Sequence, residues 1–94
     1  MSSFTVRVEL NNPGPGDYDD LHKKMAAAGF SKIIISNDGK KYHLPDAEYN
    51  YESESTSTEQ VLDKAYAVAK AVQGSPRVLV TKSNGRMWQG LKPV

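Results

Sequence analysis

Two histidines, scattered carboxylates and an absence of cysteine set the chemistry open to this 94-residue chain. His43 is the more reactive candidate: it follows Tyr42 and the basic pair Lys40-Lys41, and an imidazole titrating near neutral pH can serve as general base or acid. The competing reading makes it structural. His22, beside Leu21 and near Met25, reads as a surface or boundary histidine. Glu9 and either Asp17 or Asp19 offer oxygen ligands to a divalent ion. No metal-ligand spacing joins them, so neither a metal site nor a cofactor is assigned, and Mg2+ enters only with nuclease chemistry. The chain has no P-loop, no dinucleotide-binding glycine fingerprint and no nucleophile elbow. Without cysteine, disulfides, thiolate zinc sites and a cysteine nucleophile are excluded.

Binding chemistry is better represented. Arg7, Lys32, Lys40, Lys41 and Arg86 are candidates to hold phosphate, and Trp88, beside Arg86 and Gln89, either stacks on a base or partner or lids the edge of the core. The net charge is only +1, but it is unevenly spread. Tyr42 to Asp63 holds six acids and no Lys or Arg, whereas Lys64 to Val94 holds six bases and no acid. Such polarity steers a polyanion to the C-terminal side, draws one subunit's basic end to another's acidic linker, or is simply solvated charge.

Positioning these residues falls to elements that the periodicity defines. Phe4, Val6, Val8 and Leu10 alternate with Thr5, Arg7 and Glu9, the period of a strand with one buried face. Asn11 to Gly16 stacks turn formers and prolines. A helix follows, with Asp17 as its cap, Asp19 and Asp20 in its first turn, Tyr18, Leu21, Met25 and Ala28 along one face, and Gly29 at its end. Phe30 to Ser36 reads as a second strand, and Asn37-Asp38-Gly39 as a hairpin turn. The returning strand, Lys41 to Leu44, meets Pro45, which predicts a bulge before Ala47 to Tyr51 resumes. Thr56 and Glu59 have capping-box spacing for a second helix that buries Val61, Ala65, Val68 and Val72, with Leu62 and Ala69 flanking. Arg77 to Thr81 is the last main strand, and Asn84-Gly85 turns into a short tail strand around Arg86 to Gln89.

The order is β-α-β-β-α-β: an α+β, ferredoxin-like two-layer sandwich, one domain over residues 1–94, with an antiparallel sheet and two helices on one face. Strands one and three are central. On the open face the outward positions are Thr5, Arg7 and Glu9, then Glu48, Asn50 and Glu52, with no aromatic platform of the kind on which RNA-recognition domains stack bases. Arg7 and Lys32 beside Ile34 and Leu79 suit a protein partner or a homodimer there. No apolar stretch approaches a membrane span and the N-terminus lacks a signal peptide's pattern, so a cytoplasmic protein without membrane partners is expected.

Four segments carry a family resemblance: Phe4 to Leu10, Met25 to Phe30, Asp38 to Tyr49 and Val78 to Lys82. Together they resemble the GhoS-like antitoxin endoribonuclease family of small bacterial and phage-associated proteins, across nearly the whole chain. The resemblance implies a ferredoxin-like fold related in shape to CRISPR-associated nucleases, and toxin–antitoxin action by sequence-selective cleavage of a membrane toxin's messenger RNA. The acid that such nucleases carry at the end of the first strand falls on Glu9 or is replaced by Asn11. On this reading the catalytic group is His43, Glu9 and Arg7, and the partner is RNA, with DNA not expected. The rival is a non-enzymatic module, such as a prophage-encoded inhibitor or regulator, that engages a protein through the sheet face or an edge strand. Either suits a monomer or a homodimer.

Overall fold

The computed structural model describes residues 2–94. Its first strand, β1 (Ser2–Glu9), buries Phe4, Val6 and Val8 completely and turns Thr5, Arg7 and Glu9 the other way, as the alternation requires. Helix α1 (Asp17–Ala27) follows the Pro/Gly loop. Asp17 is not its cap: Gly16 holds that position without a capping side chain, and the Asp17 carboxylate turns back to accept from the Gly14 amide at 2.7 Å. The opposite end is as expected. Gly29 adopts φ 95° while its amide and that of Phe30 donate to the Ala26 and Met25 carbonyls at 3.0 and 2.9 Å, a Schellman closure. A Cβ at Gly29 would lie 3.4 Å from the Tyr51 ring, so packing and backbone conformation both favour glycine.

The second strand is shorter than Phe30 to Ser36. β2 (Ile33–Ile35) begins only after a bend at Lys32, and Ser31 makes an isolated bridge to Asn50. It pairs with β3 (Lys41–His43) through Ile33–His43, Ile34–Tyr42 and Ile35–Lys41. Gly39 alone takes the left-handed conformation in the connecting turn, at φ 84°, while the Ser36 amide donates to the Lys40 carbonyl at 2.8 Å. Pro45 interrupts the returning chain as predicted, separating β3 from β4 (Glu48–Ser53), which starts one residue after Ala47.

Helix α2 (Thr58–Val72) buries Val61, Ala65 and Ala69, with Val68 and Val72 partly buried against the same core and Leu62 exposed. Its capping box is Ser57 with Gln60, one position beyond Thr56 and Glu59; Thr56 instead accepts from Ser53. β5 (Arg77–Lys82) then returns alongside β1.

The main sheet has the order β4-β1-β5, all antiparallel, with Val6 opposite both Tyr49 and Val80. The Ser31–Asn50 bridge brings the β2-β3 hairpin to the outer side of β4, so the first and third main strands are central. This is the ferredoxin-like sandwich. Phe4, Leu21, Met25, Phe30, Tyr49 and Val61 fill the layer between sheet and helices, and full burial stabilises by about 1.5–3 kcal/mol per large apolar side chain. Among the described residues no helix is long and apolar enough to cross a membrane.

No strand forms over Arg86 to Gln89. Residues 83–94 run instead as an irregular strap across the sheet's other face, ending where Pro93 bridges Tyr42 and the Val94 amide donates to the Lys41 carbonyl at 3.0 Å. The hairpin's outer edge, not a new turn, captures the tail.

Candidate functional site

On β1 and its neighbours four outward side chains are committed to two ion pairs. Arg7 meets Glu48 at 3.2 Å and Glu9 meets Arg77 at 2.9 Å, all at least a quarter exposed. His43 lies on β3, exposed, with β2 and β4 between it and β1. His43, Glu9 and Arg7 therefore stand apart, and the fold does not assemble them into one catalytic group. Among the described residues no three His, Asp or Glu side chains converge to hold a metal ion. Asp17 is occupied by Gly14, Glu9 by Arg77, and Asp19 lies on α1, where its charge acts on His22.

Lys32 also departs from expectation. Its ammonium donates to the Glu48 carbonyl at 2.9 Å and to the Pro45 carbonyl, and it lies 5.0 Å from the centroid of the buried Tyr49 ring. It clamps the turn where Pro45 breaks the strand, so it is not the partner of Arg7, Ile34 and Leu79 on an open face. Partial burial pulls its pKa down, opposed by Asp46 and Glu48. Around it lies a cluster that sequence reading missed. His22 Nδ1 and the Tyr49 hydroxyl share a hydrogen bond, and Tyr18 stands 6.3 Å from the His22 ring. Burial and then Lys32 push the His22 pKa below its ordinary value, against Asp46 and Asp19, and burial raises that of Tyr49. The only hint in the sequence was that His22 shares a helix face with Tyr18 and Met25.

The strap creates the main concavity. Arg86, half-buried, donates to Asn50 Oδ1 at 2.8 Å and to Thr5 Oγ1 at 3.4 Å, tying the strap to both central strands. Asn50, expected to face outward in the open, is thereby only 7% exposed, and its amide nitrogen donates to Glu52. Ile34 is buried outside the main core, lining a 240 Å³ cleft beneath Arg86, Met87 and Trp88. Leu79 stays 63% exposed, so the apolar pair expected on this face is split.

Trp88 meets Tyr42 edge-on, with ring centroids 5.7 Å apart. Both rings, with Arg86, line an open groove of about 720 Å³ whose far wall is the hairpin turn Ser36-Asn37-Asp38. Lys40 and Lys41 follow that turn, exposed. The aromatic surface that the strands lack is thus supplied by the tail and β3. A groove with two aromatic rings and a guanidinium, part of whose donors are taken by Asn50 and Thr5, can stack planar rings and hold an anion, while Lys40 and Lys41 lie outside its lining. Of the expected binding residues the fold gathers Arg86 and Trp88 here, with Lys40 and Lys41 beside the turn; Arg7 and Lys32 are engaged elsewhere. Tyr42 and Asp38 complete the groove; the sequence marked Asp38 only as a turn former and Tyr42 only as a member of the returning strand beside His43. Comparison with protein-family models, curated proteins and solved structures gives no match to any of them.

Proposed function

We propose that the protein is RNA-directed, in the manner that the resemblance to GhoS-like antitoxins implies, and holds single-stranded RNA in the groove between the strap and the β2-β3 turn. The observation that carries this reading is the meeting of Trp88, Tyr42 and Arg86 around one open groove of about 720 Å³, since unstacked bases bind on aromatic rings while cations hold phosphate. The absence of acids from Lys64 to Val94 favours a polyanion on the side that the strap supplies. The setting proposed is the cytoplasm, with RNA as the partner and no requirement for DNA or a membrane.

Cleavage of a toxin messenger RNA would be a second step of the same reading, with the exposed His43 as its proton-transfer candidate; alternation along β3 turns it to the face opposite Tyr42, so it acts only on RNA that continues past the hairpin edge. The test is anisotropy with labelled single-stranded RNA at low and moderate salt, alongside gels with and without Mg2+. Binding is expected to weaken as salt rises, and Trp88→Ala is expected to weaken it on the order of tenfold through lost stacking. No binding at low salt would overturn the reading. Discrete cleavage that His43→Ala abolishes would add the enzymatic step, whereas intact RNA would confine the function to binding.

A protein-binding module is favoured by a different observation: among the described residues β5 pairs only with β1, leaving one edge unpaired beside the 63% exposed Leu79. On that reading Leu79→Lys would abolish capture of a partner while leaving Trp88 and the groove unaltered.

A further inference from the structure

The hairpin turn that walls the groove does more than reverse the chain. Ser36 donates its hydroxyl to Asp38 Oδ1, and the Lys40 amide donates to the same oxygen at 3.3 Å. These two bonds fix the carboxylate and hold its pKa below the usual range, the Ser36 bond being the larger cause. Among the described residues the second oxygen, Oδ2, has no hydrogen bond of its own, and Asp38 lines the groove together with Tyr42 of the same hairpin and Arg86 and Trp88 of the strap. An ionised carboxylate in an anion-binding groove is out of place as a phosphate contact, because it repels the backbone. It suits a base edge instead, where it can only accept.

Guanine is the RNA base that presents two adjacent N–H donors on one edge, N1–H and the N2 amino group. Adenine and cytosine each place an acceptor beside their amino group, and uracil flanks its single N–H with two carbonyl oxygens. A fixed, acceptor-only carboxylate is therefore matched by guanine and opposed by lone pairs in the other three. Asn37, in the same wall, can meet guanine O6 through its amide N–H groups.

We propose that this groove selects guanine: the base lies against Trp88 and Tyr42 and its donor edge is read by Asp38. This rests on the RNA-binding reading and adds to it the base recognised. The chain's single tryptophan reports on occupancy directly. Its fluorescence is titrated with four heptamers, oligo-uridine and the same chain with guanine, adenine or cytosine at the centre. The guanine heptamer is expected to bind on the order of tenfold more tightly than oligo-uridine, because the one free oxygen, Oδ2, can accept from guanine N1–H and N2–H together but meets carbonyl lone pairs on either side of the single N–H of uracil. Asp38→Asn keeps an oxygen for Ser36 and Lys40 but turns the free position into a donor, and it is expected to bring the guanine-to-uridine ratio close to one. Equal binding of all four heptamers by the native chain would overturn guanine selection while leaving RNA binding standing. Retention of the guanine preference in Asp38→Asn would overturn Asp38 as its reader, and failure of every heptamer to bind would overturn both proposals.

Discussion

The two faces of the sheet are closed by different physics. The helix-covered face is apolar: Phe4, Val6 and Val8 from β1 and Tyr49 from β4 meet Leu21, Met25, Val61 and Ala65 with no side chain exposed to solvent. The strap-covered face is held by polar groups, above all the Arg86 bonds to Asn50 and Thr5, with ion pairs beside them. Apolar burial is non-directional and scales with area, so it fixes the fold but recognises little. Polar closure is directional and leaves unused donors and acceptors at the surface, which is what a binding groove requires. One face supplies stability, and the other keeps directional polar groups at the surface.

The largest effect that would break this contrast is a cavity in the apolar face. Phe4→Ala removes a fully buried ring that stands 6.4 Å from Tyr51, and is expected to cost about 3–5 kcal/mol in a urea melt. For a domain whose net stability is of the order of 5–15 kcal/mol, that is a large part of the whole. A loss under about 1 kcal/mol would mean that the core is not carried by this layer. On the opposite face, Arg86→Ala strands the Asn50 carboxamide oxygen beneath the strap and should cost about 1–3 kcal/mol. Pairing it with Asn50→Leu should restore part of that loss, because the orphaned acceptor is then gone. If the double variant is no more stable than Arg86→Ala, the strap is held by something other than this bond.

The same contrast explains what could be read from the chain. Elements with a buried stripe announce themselves through spacing: Val61, Ala65 and Ala69 recur every four residues, and Phe4, Val6 and Val8 every two, so helix, strand and fold class follow from period alone. Residues 83–94 have no period. Their path is set by Arg86 reaching Asn50 across 36 positions of sequence, a contact that no local pattern encodes. His22 and Tyr49, 27 positions apart, are hidden for the same reason. Asp38 was visible only as a turn former, because its place in the groove depends on a strap that no local pattern predicts. Near-degenerate chemistry accounts for the slip at the second helix, where two adjacent hydroxyls, Thr56 and Ser57, stand three residues before Glu59 and Gln60 respectively.

That slip can be tested on the helix-covered side. Ser57→Ala removes the hydroxyl that accepts from the Gln60 amide at 3.1 Å and should cost about 1 kcal/mol. The comparison is Thr56→Ala, which deletes the part-buried acceptor for Ser53 at the end of β4 but no helix cap, and should cost less. Equal losses would return the cap to either residue and remove the physical reason for placing the helix start at Thr58.

The smallest effect is expected at the seam between the two faces, where His22 reaches from α1 to Tyr49. Burial and Lys32 lower its pKa from the ordinary 6.5, so the folded chain prefers the neutral ring while the unfolded chain takes up a proton first. Between the ordinary value and the lower folded one, the unfolded state binds more protons, and stability must rise with pH. His22 therefore contributes fully above pH 6.5 and loses its contribution as pH falls below it. Chemical denaturation at neutral and mildly acid pH should show a decline, and in His22→Gln, which cannot titrate, the part due to the ring should vanish. The ring is only partly buried, so the difference between the two profiles should be modest. A native chain that becomes more stable on acidification over this window would mean that Asp46 and Asp19 outweigh burial and Lys32, and that the imidazole is held as a cation at the seam.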